Sequence, residues 1–141
     1  SRKKTFVSPT LAAFEMQPDK GDSVEVNGFK NMVNFVGMAK TGGVNIVVGS
    51  HSWVAYAETG FAYFRAMELL HDAGLSNMEI LQAATMENAR FFRVDERLGS
   101  IEAGKLADII LVEGNPLQDI MAMRNVTKVM LNGVWISAVS P

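Results

Sequence analysis

One run constrains this chain more than any other: Gly42 to Ser52, which reads GGVNIVVGSHS. Two glycines open it, an apolar stretch with three valines follows, and it ends after Gly49 in a polar tripeptide holding one of only two histidines among 141 residues. A run this apolar and β-branched reads as a strand buried on both faces, the kind found in parallel sheets covered by helices. Alternation puts Val44, Ile46 and Val48 on one face and Asn45, Val47, Gly49 and His51 on the other. The first face suits packing under helices. The second is smaller and more polar, and it delivers His51 to the carboxyl end of the strand, where parallel α/β proteins keep their chemistry. Spacing alone is equally consistent with a core histidine bonded to a backbone carbonyl.

The flanking segments fit a helix-and-strand succession. Thr5 to Val7 reads as a short strand that ends at Ser8, because Pro9 cannot donate to a ladder and holds the preceding residue extended. Pro18, Asp19, Gly21 and Asp22 mark a loop. From Phe29 the apolar residues Phe29, Met32, Val33, Val36 and Ala39 recur at helical spacing, and Gly42 with Gly43 closes that helix. Beyond the loop-like SWVAYAETG, a second helix carries the stripe Tyr63, Ala66, Met67, Leu70 and Ala73 and stops at Gly74. His71 falls in its last turn, where a cationic imidazole is favoured by the helix dipole. Ser76 and Glu79 form a capping box for a third helix bearing Ile80, Leu81 and Ala84, and Thr85 is positioned to cap a short fourth one through Phe92. Nine methionines, several on these faces, read as gap-filling core side chains.

Composition narrows the function classes. With 48% hydrophobic residues and a formal charge of −2, the chain is ordinary for a globular domain, and it lacks the basic patches expected of a partner of nucleic acid or of an anionic membrane surface. Having no cysteine, it has no disulfide framework and no thiolate chemistry, which leaves its compartment open. No stretch approaches the ~18 apolar residues of a membrane span, and the basic start lacks the apolar region of a signal peptide.

The last third changes period. LGSIEAGKLADIILVEG contains a glycine-punctuated turn followed by the apolar run Ile109 to Val112. In VTKVMLNGVWI, Asn132-Gly133 sits between two β-rich runs and predicts a two-residue type I′ hairpin joining Thr127–Leu131 to Val134–Ser137. Taken together, AGLSNMEILQAATMENARFF, LGSIEAGKLADIILVEGNPLQDI and VTKVMLNGVWI resemble the carboxyl-terminal part of the amidohydrolase superfamily, the metal-dependent hydrolases related to imidazolonepropionase and prolidase-like enzymes. The resemblance runs from about Gly43 to Ile136 and is most specific at Gly99, Gly104, Lys105, Ala107, Asp108, Asn115 and Pro116. FVSPTL is similar to the end of an earlier barrel strand.

The resemblance implies an α/β fold: the carboxyl-terminal part of a distorted (β/α)8, TIM-like barrel, with residues 1–95 as its last βα units and residues 96–141 as strands of a small composite β-sandwich. It also implies zinc or another divalent metal at the carboxyl ends of the barrel strands, held by an HxH pair on the first, a Lys or Glu on the fourth, histidines on the fifth and sixth, and an aspartate on the eighth. In such enzymes the metal brings the pKa of bound water to about 7, and the aspartate moves the proton to the leaving nitrogen. GVNIVVGSHS would be the eighth strand, so His51 stands where the family usually has aspartate. A neutral imidazole can ligate zinc or act as a base near neutral pH, yet it brings no charge to offset a dication. On this reading His51 is the catalytic residue and metal ligand, and Trp53 and Tyr56 contact a small amide or dipeptide-like substrate.

Two histidines without an HxH pair cannot supply the three protein ligands of a hydrolytic zinc site. The chain is therefore expected to be the carboxyl-terminal piece of a longer C–N bond hydrolase, inactive alone and completed by the missing barrel half or by self-association. Two other readings stand beside it: a non-catalytic assembling module of the same ancestry, and an unrelated small enzyme built on His51, Tyr56 and Glu58. A serine nucleophile at Ser50 or Ser52 lacks the GxSxG turn that such chemistry uses.

Overall fold

The computed structural model describes residues 5–15, 23–50 and 60–136. Two short strands, β1 (Phe6–Val7) and β2 (Asn45–Ile46), are joined by helix α1 (Ser23–Thr41). They pair in parallel, Phe6 opposite Asn45 and Val7 opposite Ile46. Parallel neighbours need a crossover, and α1 is long enough to provide it. Helices α2 (Phe61–Asp72), α3 (Asn77–Ala84) and α4 (Met86–Phe92) follow. The chain then forms β3 (Ile109–Val112), a 3-10 helix at Ile120–Arg124, β4 (Val126–Leu131) and β5 (Val134–Ile136).

The apolar stripes do what their spacing predicts. Val36 of α1, Ile46 and Val48 from the strand segment, Ala66, Met67, Leu69 and Leu70 of α2, and Ile80 and Ala83 of α3 form one core, with Val44, Phe29, Met32 and Val33 packed against it. Fully burying side chains such as Leu70 and Ile80 contributes about 2 kcal/mol each, more than any single cap. The Ser76 capping box is present: the Ser76 backbone N–H and hydroxyl both donate to Glu79 Oε2, at 2.8 and 2.7 Å.

Val47 is 1% exposed, so the strand is covered on both faces there, as its apolar run predicts. Three expectations need correction. Helix α1 begins at Ser23, six residues before the first residue of the predicted stripe, Phe29. Thr85 does not cap α4 with its side chain; its hydroxyl donates back to the Leu81 carbonyl at 2.7 Å and finishes α3 instead. Of the methionines, Met67 and Met123 fill the core, but Met38, Met78 and Met121 are exposed.

A charged chain of contacts runs across α2. Glu68, buried at 7% exposure, accepts from Arg65 Nη1 at 2.9 Å and from Arg124 Nε at 2.7 Å. Arg65 Nε also donates to Glu15 Oε2 at 2.8 Å, and the hydrogen bonds to Glu15 hold the guanidinium above its already high pKa. Arg124 in turn lies over the Phe61 ring, 4.0 Å from its centroid. The segment after β1 and the segment before β4 are thus fastened to the same helix.

Strands β3, β4 and β5 make an antiparallel sheet in that order. The hairpin forms at Asn132-Gly133, both with positive φ (50° and 80°) as a type I′ turn requires. Asp108 explains part of the motif before β3: its Oδ1 accepts from the Asn132 N–H at 2.6 Å, while the Gly133 N–H donates to the Ala107 carbonyl at 3.0 Å. The turn is therefore tied to the segment that precedes its own sheet. A Gly133→Val substitution should destabilise the protein by about 1–2 kcal/mol in urea unfolding, because a β-branched residue resists that positive φ, and Gly133→Asn should do so by much less. Equal stability for the Val variant would contradict this account of the turn.

Candidate functional site

The parallel pair sets the geometry. Beyond β1 the chain passes Ser8 and Pro9 and turns at Thr10, which adopts a left-handed conformation (φ 46°) and starts a 3-10 helix, Leu11–Ala13. Beyond β2 the ladder continues one step, with the Val47 N–H donating to the Val7 carbonyl at 3.0 Å. The two strand ends then converge. A Cβ at residue 49 would overlap Ser8 Oγ and lie 3.8 Å from Thr10 Cγ2, so only glycine fits without a neighbour moving. Ser50, the next residue, is exposed.

Val48 faces the other way. Its N–H donates to the Ala83 carbonyl at 3.2 Å, and its carbonyl accepts from Asn88 Nδ2 at 2.9 Å. The same nitrogen reaches the Tyr63 hydroxyl at 3.3 Å, and that hydroxyl donates to the Ala84 carbonyl at 3.2 Å. Burial pushes the Tyr63 phenol above its ordinary pKa, with the Asn88 contact working against that shift. One carboxamide thereby links the end of the strand segment to α2 and to the end of α3.

His51, Trp53 and Tyr56, the residues singled out from the sequence, lie outside the described residues, as does Glu58. His71 is in the last turn of α2 as expected and is exposed. It borders a separate groove with Glu68, Asp72, Asn77 and Asp119. Among the described residues no group of three or more His, Cys, Asp or Glu side chains is arranged to hold a metal ion, so these residues do not by themselves fit the divalent cation that the resemblance implies. The sequence reading missed Ser8, Tyr63 and Asn88. Asn88 carried a faint signal, since asparagine is a poor residue for the interior of a short helix unless its side chain is engaged.

Gly49→Ala should lower stability by about 1 kcal/mol, and adding Ser8→Ala should recover most of that loss, because the clash is with the Ser8 hydroxyl. Urea midpoints of the two single variants and the double variant measure this coupling. Strict additivity would mean that the strand ends do not meet at these residues.

The amidohydrolase family model matches residues 5–136. Among solved structures, a Xaa-Pro dipeptidase with bound methionine superposes with a TM-score of 0.81 at 30% identity, covering 95% of this chain and 35% of that one. A candidate prolidase from Bifidobacterium longum gives 0.79 at 31%, covering 96% and 36% respectively. An adenine deaminase from Clostridium botulinum, strain Loch Maree, is 37% identical over 62 residues, which is 44% of this chain and 9% of that protein. The chain thus spans about a third of the length of these two solved structures. With its mixed α/β architecture, its parallel strand pair and a match over nearly all of its residues, the chain belongs to the amidohydrolase family, whose fold is of the TIM-barrel type, and is prolidase-like within it.

Proposed function

We propose that this chain is the carboxyl-terminal part of a metal-dependent hydrolase that cleaves a C–N bond in a dipeptide-like amide. In this reading residues 1–95 supply the seventh and eighth βα units of a distorted (β/α)8 barrel, and residues 96–141 supply strands of a composite β-sandwich. The observation that carries it is the parallel β1–β2 pair whose carboxyl ends converge at Ser8 and Gly49. In barrels of this type the chemistry sits at the carboxyl ends of the strands, and His51 follows Gly49 by two residues. The similarity at 30% identity to a Xaa-Pro dipeptidase favours a small peptide-like substrate over a large one.

Within that reading His51 is the proton carrier. A neutral imidazole takes a proton from the attacking water as its oxygen bonds to the carbonyl carbon, and returns it to the nitrogen as the C–N bond breaks. Trp53 and Tyr56 offer aromatic surface and a hydroxyl to hold the substrate. A zinc or similar cation in such a site would draw its ligands chiefly from other strands, since the described residues assemble no such set. Phe35 and Met38 on α1, 64% and 71% exposed, and Val134, Trp135 and Ile136 on β5, also exposed, support an assembly in which further parts of the barrel cover α1 and further sandwich strands cover β5. The same exposed side chains favour the second reading, a non-catalytic module that associates with itself.

Assay of the full-length protein against Xaa-Pro dipeptides and N-acyl amino acids tests the proposal. His51→Ala should lower kcat by about 10²- to 10⁴-fold with the unfolding midpoint unchanged, and His51→Asp should retain more activity than the Ala variant because it restores the carboxylate usual in the family. Unaltered turnover in the Ala variant would remove His51 from the chemistry. Absence of turnover on every C–N substrate would favour the module reading.

A further inference from the structure

We infer that Asn88 is a positioning residue for the strand end at residues 47–50, acting through the Val48 carbonyl. Successive peptide groups of a strand face opposite edges. Asn45 and Val47 direct their N–H groups toward β1, bonding the Thr5 and Val7 carbonyls at 3.2 and 3.0 Å. The peptide groups of Ile46 and Val48 therefore face the opposite edge of the strand. In a closed barrel the next strand would meet that edge. At Val48, however, both positions are already taken, the N–H by the Ala83 carbonyl and the carbonyl by Asn88 Nδ2.

Two consequences follow. A neighbouring strand can pair with this edge as far as Ile46 and must diverge at Val48, so a barrel seam on this side would open at residues 48–50. The direction of the chain at Val48 is then set by helix α4 and the end of α3 and not by a strand ladder. Asn88 is well suited to this, because its two Nδ2 hydrogens serve two acceptors, the Val48 carbonyl and the Tyr63 hydroxyl, and the Tyr63 hydroxyl is itself fixed by donating to Ala84. The carboxamide cannot swing away without releasing both. Aspartate at this position would keep the shape but present an oxygen to the Val48 carbonyl, turning attraction into repulsion. The catalytic consequence rests on the reading that His51 carries the reaction, whereas the positioning of residues 47–50 can be measured without it.

The test uses the full-length protein with Asn88→Asp, Asn88→Ala and Tyr63→Phe. Amide hydrogen exchange in residues 47–50 should quicken about tenfold in both Asn88 variants, with the amides of Ala66 to Leu70 unaffected, and less in Tyr63→Phe, which removes only the second partner. In the peptidase assay the Asn88 variants should lose about 100-fold in kcat with KM little altered, the signature of a misplaced reacting group. Unaltered exchange in residues 47–50 would overturn the inference. So would faster exchange with undiminished kcat, which would make Asn88 a stabilising contact only. Should the Asn88 variants unfold altogether, Tyr63→Phe decides, and parental exchange and kcat in that variant would overturn the Tyr63-braced clamp. Should the parent protein cleave no C–N bond, the functional proposal fails and the exchange measurement still decides whether Asn88 holds the strand end.

Discussion

A strand buried on both faces has only hydrogen bonds along its edges with which to satisfy its backbone, and the arrangement around residues 45–48 follows from that obligation. Asn45 and Val47 satisfy theirs on β1, which requires a parallel neighbour and hence the α1 crossover. Val48 satisfies its own on Ala83 and Asn88, which places the α3–α4 junction against the strand end. The core then fills between, with α1, α2 and α3 each contributing an apolar stripe.

Helix α2 is the second organising element because it bears Arg65 and Glu68. Replacing a buried ion pair by apolar residues is often neutral or stabilising, so such a network is better read as fixing geometry than as supplying stability. Here it fastens Glu15, in the segment that leaves β1, and Arg124, just before β4, to one helix face. The parallel pair and the antiparallel sheet share this anchor. The Asp108 contact with the Asn132 N–H does similar work within the smaller sheet, and it gives a physical reason for an aspartate in the motif that precedes β3.

Features with local causes were legible in the sequence. The hairpin at Asn132-Gly133, the Ser76–Glu79 capping box, the α2 stripe and β3 all depend on residues a few positions apart, and each lies where its pattern places it. The first turns of α1 were hidden because Asn27 and Gly28 are poor helix formers, and the helix extends through them regardless. Thr85 was ambiguous between two adjacent helices, and only the Leu81 carbonyl settles which one it serves. Most opaque was Asn88: its partner Val48 is 40 residues away, a separation at which no periodicity operates. The candidate site itself was legible only in part, for the sequence pointed to His51, which lies outside the described residues, and the structure adds the converging strand ends and the Asn88 contact with Val48.

The most direct test of this account is a crystal structure of the full-length protein. It should show further parallel strands on both sides of the β1–β2 pair, the seam open beyond Ile46, and the His51 imidazole facing a solvent-connected cleft ringed by carboxyl strand ends. A pair that remains two-stranded, with the imidazole enclosed by apolar side chains and both ring nitrogens bonded to backbone, would contradict it.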